Sequence, residues 1–248
     1  MVEAAAVIKL RLNPDKETAK ILDHQSKIAN WLYNHLLEKA NELRVKYRQN
    51  PSDEISKILY TKRGLRNEIP KIKKEHPFLT TVHSSPLKNS ALRLSDAIQK
   101  HQATKKKNKK RKIRGWPKFR SWKAKWFSLF YDEPGKGYYV LDEKLYLSLG
   151  MVREKSGKSR RRRPLAIPIL ESQKLNKKEI RNLRIVKQGG VYSAVFTIMR
   201  KLPDKKTTAI GDSKFTSNSF QSFPVFPDER WFLSDNEIEH QVENYDSI

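Results

Sequence analysis

The sequence contains no cysteine among its 248 residues. Disulfide frameworks, zinc sites with cysteine ligands and thiol nucleophiles are therefore excluded for this chain. Long hydrophobic runs are also missing, because the apolar stretch near the start, Ala4–Ile8, is too short for a signal peptide and far too short for a membrane span. We therefore expect a soluble, cytoplasmic protein that has no membrane partner.

Acidic residues are scarce in most of the chain. There are 27 Asp and Glu residues against 52 Lys and Arg, which gives a formal net charge of +25 at pH 7. A chain so positive attracts polyanions, and the phosphates of DNA and RNA are the expected partners, which also predicts association with the nucleoid. Residues 212–248 differ, since they hold 8 acidic and only 2 basic residues. The charge therefore changes sign near residue 211.

The spacing of apolar residues predicts one strand followed by a helical bundle. In the strand, apolar residues alternate with Lys9 and Arg11, as expected where one face is buried. Asn13 as an N-cap before Pro14 predicts the start of the first helix. The expected elements are a strand over Val7–Leu12 and helices over Pro14–Tyr47, Ser52–Glu68 (with Pro70 ending it) and Ser85–Thr104.

From residue 113 onward the apolar residues recur with a period of two, which is typical of strands. Two such runs flank Gln188-Gly189-Gly190 and predict a hairpin. Pro168 lies within the apolar run Leu165–Leu170, and because proline has no N–H to donate within a sheet, this run is predicted to be an edge strand. The expected strands are Trp126–Tyr131, Tyr138–Leu141, Lys144–Leu149, Leu165–Leu170, Arg181–Lys187 and Val191–Met199.

The order of these elements predicts an α+β fold. We expect the first strand (residues 1–13) to pair with the later strands (residues 113–204) in a small β-barrel. The helical bundle, with the basic run that follows it (residues 14–112), would be an insertion into that barrel. Residues 205–248 show no clear pattern and are expected to form a disordered or irregular tail.

The residues expected to bind nucleic acid lie mainly in Lys100–Phe127, which has 13 Lys and Arg residues and no acid. Dense cations bind phosphates, and aromatic rings among them can stack on bases, although most of these rings are expected in the core. A second group, Arg160–Arg163, is expected in a loop, as a phosphate site, a localisation signal or only a mobile hairpin tip. The candidates are Lys105, Lys106, Lys107, Lys109, Lys110, Arg111, Lys112, Arg114, Trp116, Lys118, Phe119, Arg120, Trp122, Lys123, Arg160, Arg161, Arg162 and Arg163.

No metal site or cofactor is expected in this chain. The histidines lack the close spacing of metal ligands, and no cysteine can assist them. A glycine-rich phosphate loop is missing, and Ser84 and Ser85 have no triad partners in their sequence context. The histidines are His24, His35, His76, His83, His101 and His240.

Several stretches resemble, in the same order, the TnpB (OrfB) proteins of bacterial insertion sequences. A Tyr33-Asn34 pair stands before Leu and Glu in the first long helix, as in that family. A later segment is similar to the family's Pro-x-Phe-Lys-Ser segment, with Arg120 in the place of the lysine. The stretches are Leu10–Glu38, Gly115–Ser121, Leu145–Gly150 and Ile180–Met199, and the resemblance covers about residues 5–210.

This resemblance implies a transposon-associated, RNA-guided DNA endonuclease related to the type V CRISPR effectors. Members of that family have a wedge-type β-barrel with a helical recognition insert, followed by a RuvC-like nuclease with a zinc ribbon. The nuclease uses three carboxylates to hold two Mg²⁺ ions, and the ribbon holds Zn²⁺. By resemblance, DNA and a guide-type RNA would be the partners of this chain.

The chain departs from the family where the nuclease would begin. Gly211 stands at the position of the first catalytic Asp, and Asp212 follows one position late. Asp212 is only a weak catalytic candidate, because no second or third carboxylate motif follows and one carboxylate cannot build a two-metal site. A frameshift near codon 211 would explain both this loss and the change of charge. The rival explanation is a natural short protein whose acidic tail shields its own basic surface.

The sequence leaves three functions open. The first is the nucleic-acid-binding half of a TnpB-like nuclease without cleavage activity. The second is a stand-alone basic RNA-binding protein of ribosomal or chaperone type, although the large helical bundle argues against it. The third is an intact nuclease whose motif is unrecognised, which metal-dependent cleavage of a plasmid would reveal. The residues give no oligomeric state.

Overall fold

The computed structural model describes residues 3–106, 115–153, 159–171 and 179–201. These residues form four α-helices and nine β-strands, which confirms the predicted α+β class. In chain order, all four helices lie between the first strand and the remaining strands. None of the described helices is both long enough and apolar enough to cross a membrane.

The four helices pack together as the predicted bundle, with α1 and α4 in contact along the bundle and α2 and α3 packed beside them. The N-cap of α1 is Asp15 and not Asn13 as predicted, because the Asp15 carboxylate accepts a hydrogen bond from the Thr18 backbone N–H at 2.7 Å. The elements are α1 (Lys16–Gln49), α2 (Asp53–Tyr60), α3 (Gly64–Glu75) and α4 (Ser84–Lys106), with a 3-10 helix at Pro77–Thr81.

The single helix predicted over Ser52–Glu68 is wrong, because the chain there forms two helices, α2 and α3. The backbone of Gly64 approaches α2 so closely that a Cβ at this position would lie 2.1 Å from the Ile58 carbonyl oxygen. The prediction that Pro70 ends a helix is also wrong. Pro70 lies inside α3, where its missing N–H leaves one backbone hydrogen bond unmade.

Every predicted strand is present, with ends shifted by a few residues in most cases. The turn between the last two strands uses Gly189 and Gly190, with φ of 55° and 81°, as the predicted hairpin requires. The strands are β1 (Glu3–Leu12), β2 (Leu129–Tyr131), β3 (Tyr138–Leu141), β4 (Lys144–Leu147), β5 (Met151–Arg153), β6 (Ser159–Arg161), β7 (Leu165–Pro168), β8 (Ile180–Gln188) and β9 (Val191–Lys201).

The strands form three antiparallel sheets, with the orders β1-β9-β8-β2, β3-β4-β7 and β5-β6. The prediction that the first strand pairs with later ones is confirmed, since β1 pairs with β9 from Glu3 opposite Lys201 to Leu12 opposite Tyr192. The two larger sheets meet at the ends of β1 and β7, where the Asn13 N–H donates to the Pro168 carbonyl at 2.9 Å. Within the described residues these strands do not close into a barrel.

One hydrophobic core joins the helices to the sheets. The buried side of the four-stranded sheet supplies residues such as Leu183 and Phe196, and α1 and α4 supply Leu36 and Leu94. Phe127, which is fully buried, lies in the stretch that connects α4 to β2. Residues around Phe127 are therefore held between the helices and the sheet.

Candidate nucleic-acid interface

Residues 115–127, which we call the tryptophan segment, lie along α1 in the opposite direction. The indole N–H of each of its three tryptophans donates a hydrogen bond to a polar side chain of α1. The bonds join Trp116 to Asn41 Oδ1 at 2.7 Å, Trp122 to Ser26 Oγ at 3.0 Å and Trp126 to Asp23 Oδ1 at 2.9 Å. An indole N–H removed from water needs such an acceptor. The three bonds fix the segment to the helix along most of its length.

The two stretches that carry the first part of the family resemblance contact each other. The side-chain amide of Asn34 accepts a hydrogen bond from the Arg120 N–H at 2.9 Å and donates one to the Arg120 carbonyl at 3.0 Å. Asn30 donates to the same carbonyl at 2.9 Å. Tyr33 is buried, and its ring centre lies 5.5 Å from the Arg120 guanidinium carbon. The Tyr33-Asn34 pair and the segment around Arg120 therefore form one packing unit.

Three candidate residues of the tryptophan segment are exposed, namely Lys118, Phe119 and Lys123. Trp116 and Trp122 are partly buried, and each ring already carries a cation on one face. The Arg44 guanidinium carbon is 4.1 Å from the centre of Trp116, and Lys27 Nζ is 4.7 Å from that of Trp122. Phe119, with half of its surface exposed, is the ring that this arrangement leaves for a base to stack on.

The dense basic run begins at the end of α4, whose last residues are Lys105 and Lys106. The other residues of the run, Lys107, Lys109, Lys110, Arg111, Lys112 and Arg114, lie outside the described residues. On either side of the run, His101 of α4 and Trp116 contact each other, with ring centres 5.4 Å apart. Trp116 is itself bonded to α1. The described residues that flank the basic run, His101 and Trp116, are therefore both part of or attached to the bundle.

The four arginines predicted to lie in a loop are partly in a strand, because Arg160 and Arg161 belong to β6 and pair with β5. Arg160, Arg161 and Arg163 are exposed, whereas Arg162 is partly buried. Burial, then the positive charges of Lys27 and Arg162, lowers the pKa of His24 on α1.

Three arginines that are distant in the chain converge beside the tryptophan segment, and we call Arg93, Arg120 and Arg184 the arginine cluster. Arg93 on α4 and Arg184 on β8 each donate from Nη1 to Ser128 Oγ at 3.1 Å. The guanidinium carbons of Arg93 and Arg120 lie 4.6 Å and 5.1 Å from the centre of Phe127. All three side chains are partly buried.

The arginine cluster has no acidic partner among the described residues. Burial, with the nearby charges of Arg120 and Arg184, lowers the pKa of Arg93 to about 9. Burial also lowers the pKa values of Arg120 and Arg184. All three groups stay protonated at neutral pH, so three positive charges share a partly dry site.

Arg120 is among the residues predicted from the sequence to bind nucleic acid, but Arg93, Ser128 and Arg184 are not. Arg93 stands in an amphipathic helix and Arg184 alternates with buried residues in a strand, so each fits the ordinary pattern of an exposed cation. Only the tertiary contacts between α4, the tryptophan segment and β8 bring them together. The local sequence therefore carries no signal for this cluster.

The described residues contain no group of three or more His, Asp and Glu side chains that could hold a metal ion. Trp31, His35, His76 and Phe78 form a cluster of rings, in which the two histidine rings are 5.3 Å apart. Asp212, which the sequence offers only as a weak catalytic candidate, lies outside the described residues, so the structure does not place it.

Comparison with known protein families finds no family profile that matches the chain. Comparison with curated proteins finds no significant match.

Proposed function

We propose that this chain is the nucleic-acid-binding, N-terminal half of a TnpB-like RNA-guided DNA endonuclease and binds DNA and guide-type RNA without cleaving DNA. It would do so in the cytoplasm, at the nucleoid. The observation that carries the proposal is that the residues on either side of the basic run, α4 before it and Trp116 after it, both belong to or are bonded to the helical bundle. A run of cations that is followed in the chain by exposed Lys118, Phe119 and Lys123 would combine phosphate binding with a ring for base stacking.

The TnpB part of the proposal is supported by the contact between its two motif segments. The family resemblance rests on the Tyr33-Asn34 pair and on the segment around Arg120, which are far apart in the chain. The hydrogen bonds between Asn34 and the backbone of Arg120 give both segments one shared structural role. Two loose matches that meet in space are harder to attribute to chance than two matches in separate places.

The proposal also takes the two larger sheets, which do not close into a barrel within the described residues, as the counterpart of the family's wedge-type β-barrel, and the four helices as that of its recognition insert. In support, a backbone bridge between Leu12 and Ile169 links the four-stranded sheet to the three-stranded sheet. All four helices come between β1 and β2 in the chain.

The test replaces the eight cations of the basic run with Gln and measures binding to single-stranded RNA and to duplex DNA over a range of salt. Each phosphate contact that is lost should reduce the slope of log affinity against log salt by about 0.7 for RNA and about 0.9 for DNA. We expect weaker binding and a flatter slope for both. Fluorescence anisotropy with labelled oligonucleotides gives both quantities.

A matched control removes the same number of charges, six Lys and two Arg, from other exposed positions. The control positions are Lys16, Lys20, Lys57, Lys62, Arg63, Lys74, Lys144 and Arg181. We expect this variant to keep most of its affinity and slope. If both variants lose the same affinity and the same salt slope, the effect depends on net charge and not on the basic run. If the unchanged protein binds neither RNA nor DNA, the proposal is refuted.

The DNA of the gene tests the proposed relation to the nuclease. We would read it in all three frames from codon 200 past the stop codon. The proposal expects another frame to encode the missing carboxylates and the cysteine pairs of a zinc ribbon. If no frame encodes them, the relation to TnpB loses its main support, and the stand-alone RNA-binding function takes its place.

A further inference from the structure

We propose that the arginine cluster, with the hydroxyl of Ser128, forms a single phosphate site that binds one backbone phosphate of a nucleic-acid strand. This inference rests on the proposed function and adds a definite contact to it. It uses residues from three separate elements, namely Arg93 of α4, Arg120 of the tryptophan segment and Arg184 of β8. None of these residues belongs to the basic run.

The charge balance of the cluster calls for an anion. Three guanidinium groups share the site, and within the described part of the chain no carboxylate pairs with any of them. Like charges that are partly removed from water repel each other strongly. By contrast, where Lys39 meets Glu68 in the same fold, the cation has a carboxylate at 2.6 Å.

The geometry leaves donors free for such an anion. Ser128 Oγ accepts hydrogen bonds from both Arg93 and Arg184, so both of its lone pairs are used and its own O–H can donate. Arg120 makes no side-chain hydrogen bond within the described residues. A guanidinium group has five N–H donors in a planar fork that matches the oxygens of a phosphate.

The alternative is that the arginines only pack against aromatic rings. Arg93 and Arg120 do lie near Phe127, and Arg184 lies 5.2 Å from the centre of Phe130. Packing of this kind explains one arginine on one ring. It does not explain why two guanidinium groups converge on one hydroxyl oxygen, because a neutral side chain would pack there without charge repulsion.

The experiment compares Arg93→Gln, Arg184→Gln and the double variant in binding to single-stranded RNA over a range of salt. For a single phosphate site we expect each single variant to bind about ten-fold more weakly and to lose about 0.7 of the salt slope. The double variant should lose no more slope than either single variant, because the same phosphate contact is lost. Arg63→Gln and Arg181→Gln, at exposed positions, are the controls and should keep both values.

Two further measurements keep the test decisive if a Gln variant folds poorly. Arg93→Lys with Arg184→Lys keeps both charges but not the planar forks, and it should keep the slope while losing affinity. In the second measurement, inorganic phosphate replaces chloride at equal ionic strength, and the melting temperature is recorded without RNA. We expect the arginine cluster to bind free phosphate weakly, so Ser128→Ala should reduce any such stabilisation.

Several outcomes would overturn the inference. If the double variant keeps the salt slope of the unchanged protein, the arginine cluster does not contact a phosphate. If the slope lost by the double variant equals the sum of the losses in the two single variants, Arg93 and Arg184 contact separate phosphates. If inorganic phosphate stabilises the protein but the variants bind RNA as the unchanged protein does, the arginine cluster binds a free anion and not the nucleic-acid backbone. In each case binding through the basic run would persist, so the proposed function would stand. Failure of the unchanged protein to bind any RNA or DNA would refute the proposed function itself.

Discussion

Ser26, Asn30 and Asn34 stand four residues apart on α1, and each forms a side-chain hydrogen bond with the tryptophan segment. The apolar face of α1 could be predicted from the sequence because its partners are any apolar side chains. The polar row could not be assigned, since Asn30 and Asn34 bond to the backbone of Arg120, about 90 residues away, and a backbone carbonyl has no sequence signature. The indole N–H bonds could not be assigned either, because their side-chain acceptors on α1 lie between 75 and 103 residues away in the chain.

Asp23 joins the tryptophan segment to the sheet, and its role can be tested by pH. Its carboxylate accepts hydrogen bonds from Trp126 at 2.9 Å, Tyr192 at 2.7 Å and Lys187 at 3.0 Å. Burial would raise the pKa of Asp23, but the hydrogen bonds from Tyr192, Lys187 and Trp126 outweigh it and hold the pKa below its ordinary value. The stabilisation is therefore present above the unfolded-state pKa of about 4 and is lost as pH falls through the folded-state pKa.

We expect Asp23→Asn to lower the free energy of unfolding by about 1–3 kcal/mol at neutral pH. The difference from the unchanged protein, measured by urea unfolding, should shrink below about pH 4, where the carboxylate itself becomes protonated. Asp96→Asn makes the same change at an exposed position of α4 and should alter stability by less than about 0.5 kcal/mol. A difference for Asp23→Asn that stays constant down to about pH 2 would contradict this account.

At the scale of elements, the presence of six of the later strands could be predicted, whereas the break between α2 and α3 could not. A period of two is a local property, and β3 has the same ends in the sequence prediction and in the structure. The break between α2 and α3 is different, because Ile58, Leu65 and Ile69 keep a helical spacing across it. At the break the backbone of Gly64 lies against the carbonyl groups of Lys57 and Ile58, and helical spacing does not report such a contact.

The substitution Gly64→Ala distinguishes one continuous helix from two helices, because it would change the free energy of unfolding in opposite directions in the two cases. In a continuous helix the change would stabilise the protein by about 1 kcal/mol, because Ala is the better helix former. In the observed structure the new Cβ would lie 2.1 Å from the Ile58 carbonyl oxygen, so we expect destabilisation by about 1–3 kcal/mol. Thermal unfolding measures the sign. Gly115→Ala, where a Cβ has no neighbour within 4 Å, is the control, and a higher melting temperature for Gly64→Ala would support one helix.

At the scale of the whole molecule, chain order and charge act together. The sequence predicted the helices as an insertion because a strand precedes them and strands follow them, and this order needs no tertiary information. The convergence of the arginine cluster does need it, since Arg93 and Arg184 meet only once β8 pairs in the sheet and α4 packs beside it. The net charge of +25 therefore has two components. One is the many cations spread over the chain, which the composition predicts, and the other is the arginine cluster, which only the fold brings together.

This distribution of charge predicts that salt raises the melting temperature of the free protein but reduces the extra stability that bound RNA gives. Raising sodium chloride from about 50 to about 500 mM screens the repulsion between cations, so the melting temperature of the free protein should rise. The extra stabilisation given by a single-stranded RNA should fall over the same range, because its phosphates are released more easily at high salt. The control variant that lacks eight exposed cations outside the basic run should show a smaller rise when free and the same fall when bound. A bound protein whose extra stability is independent of salt would mean that contacts other than phosphates hold the RNA.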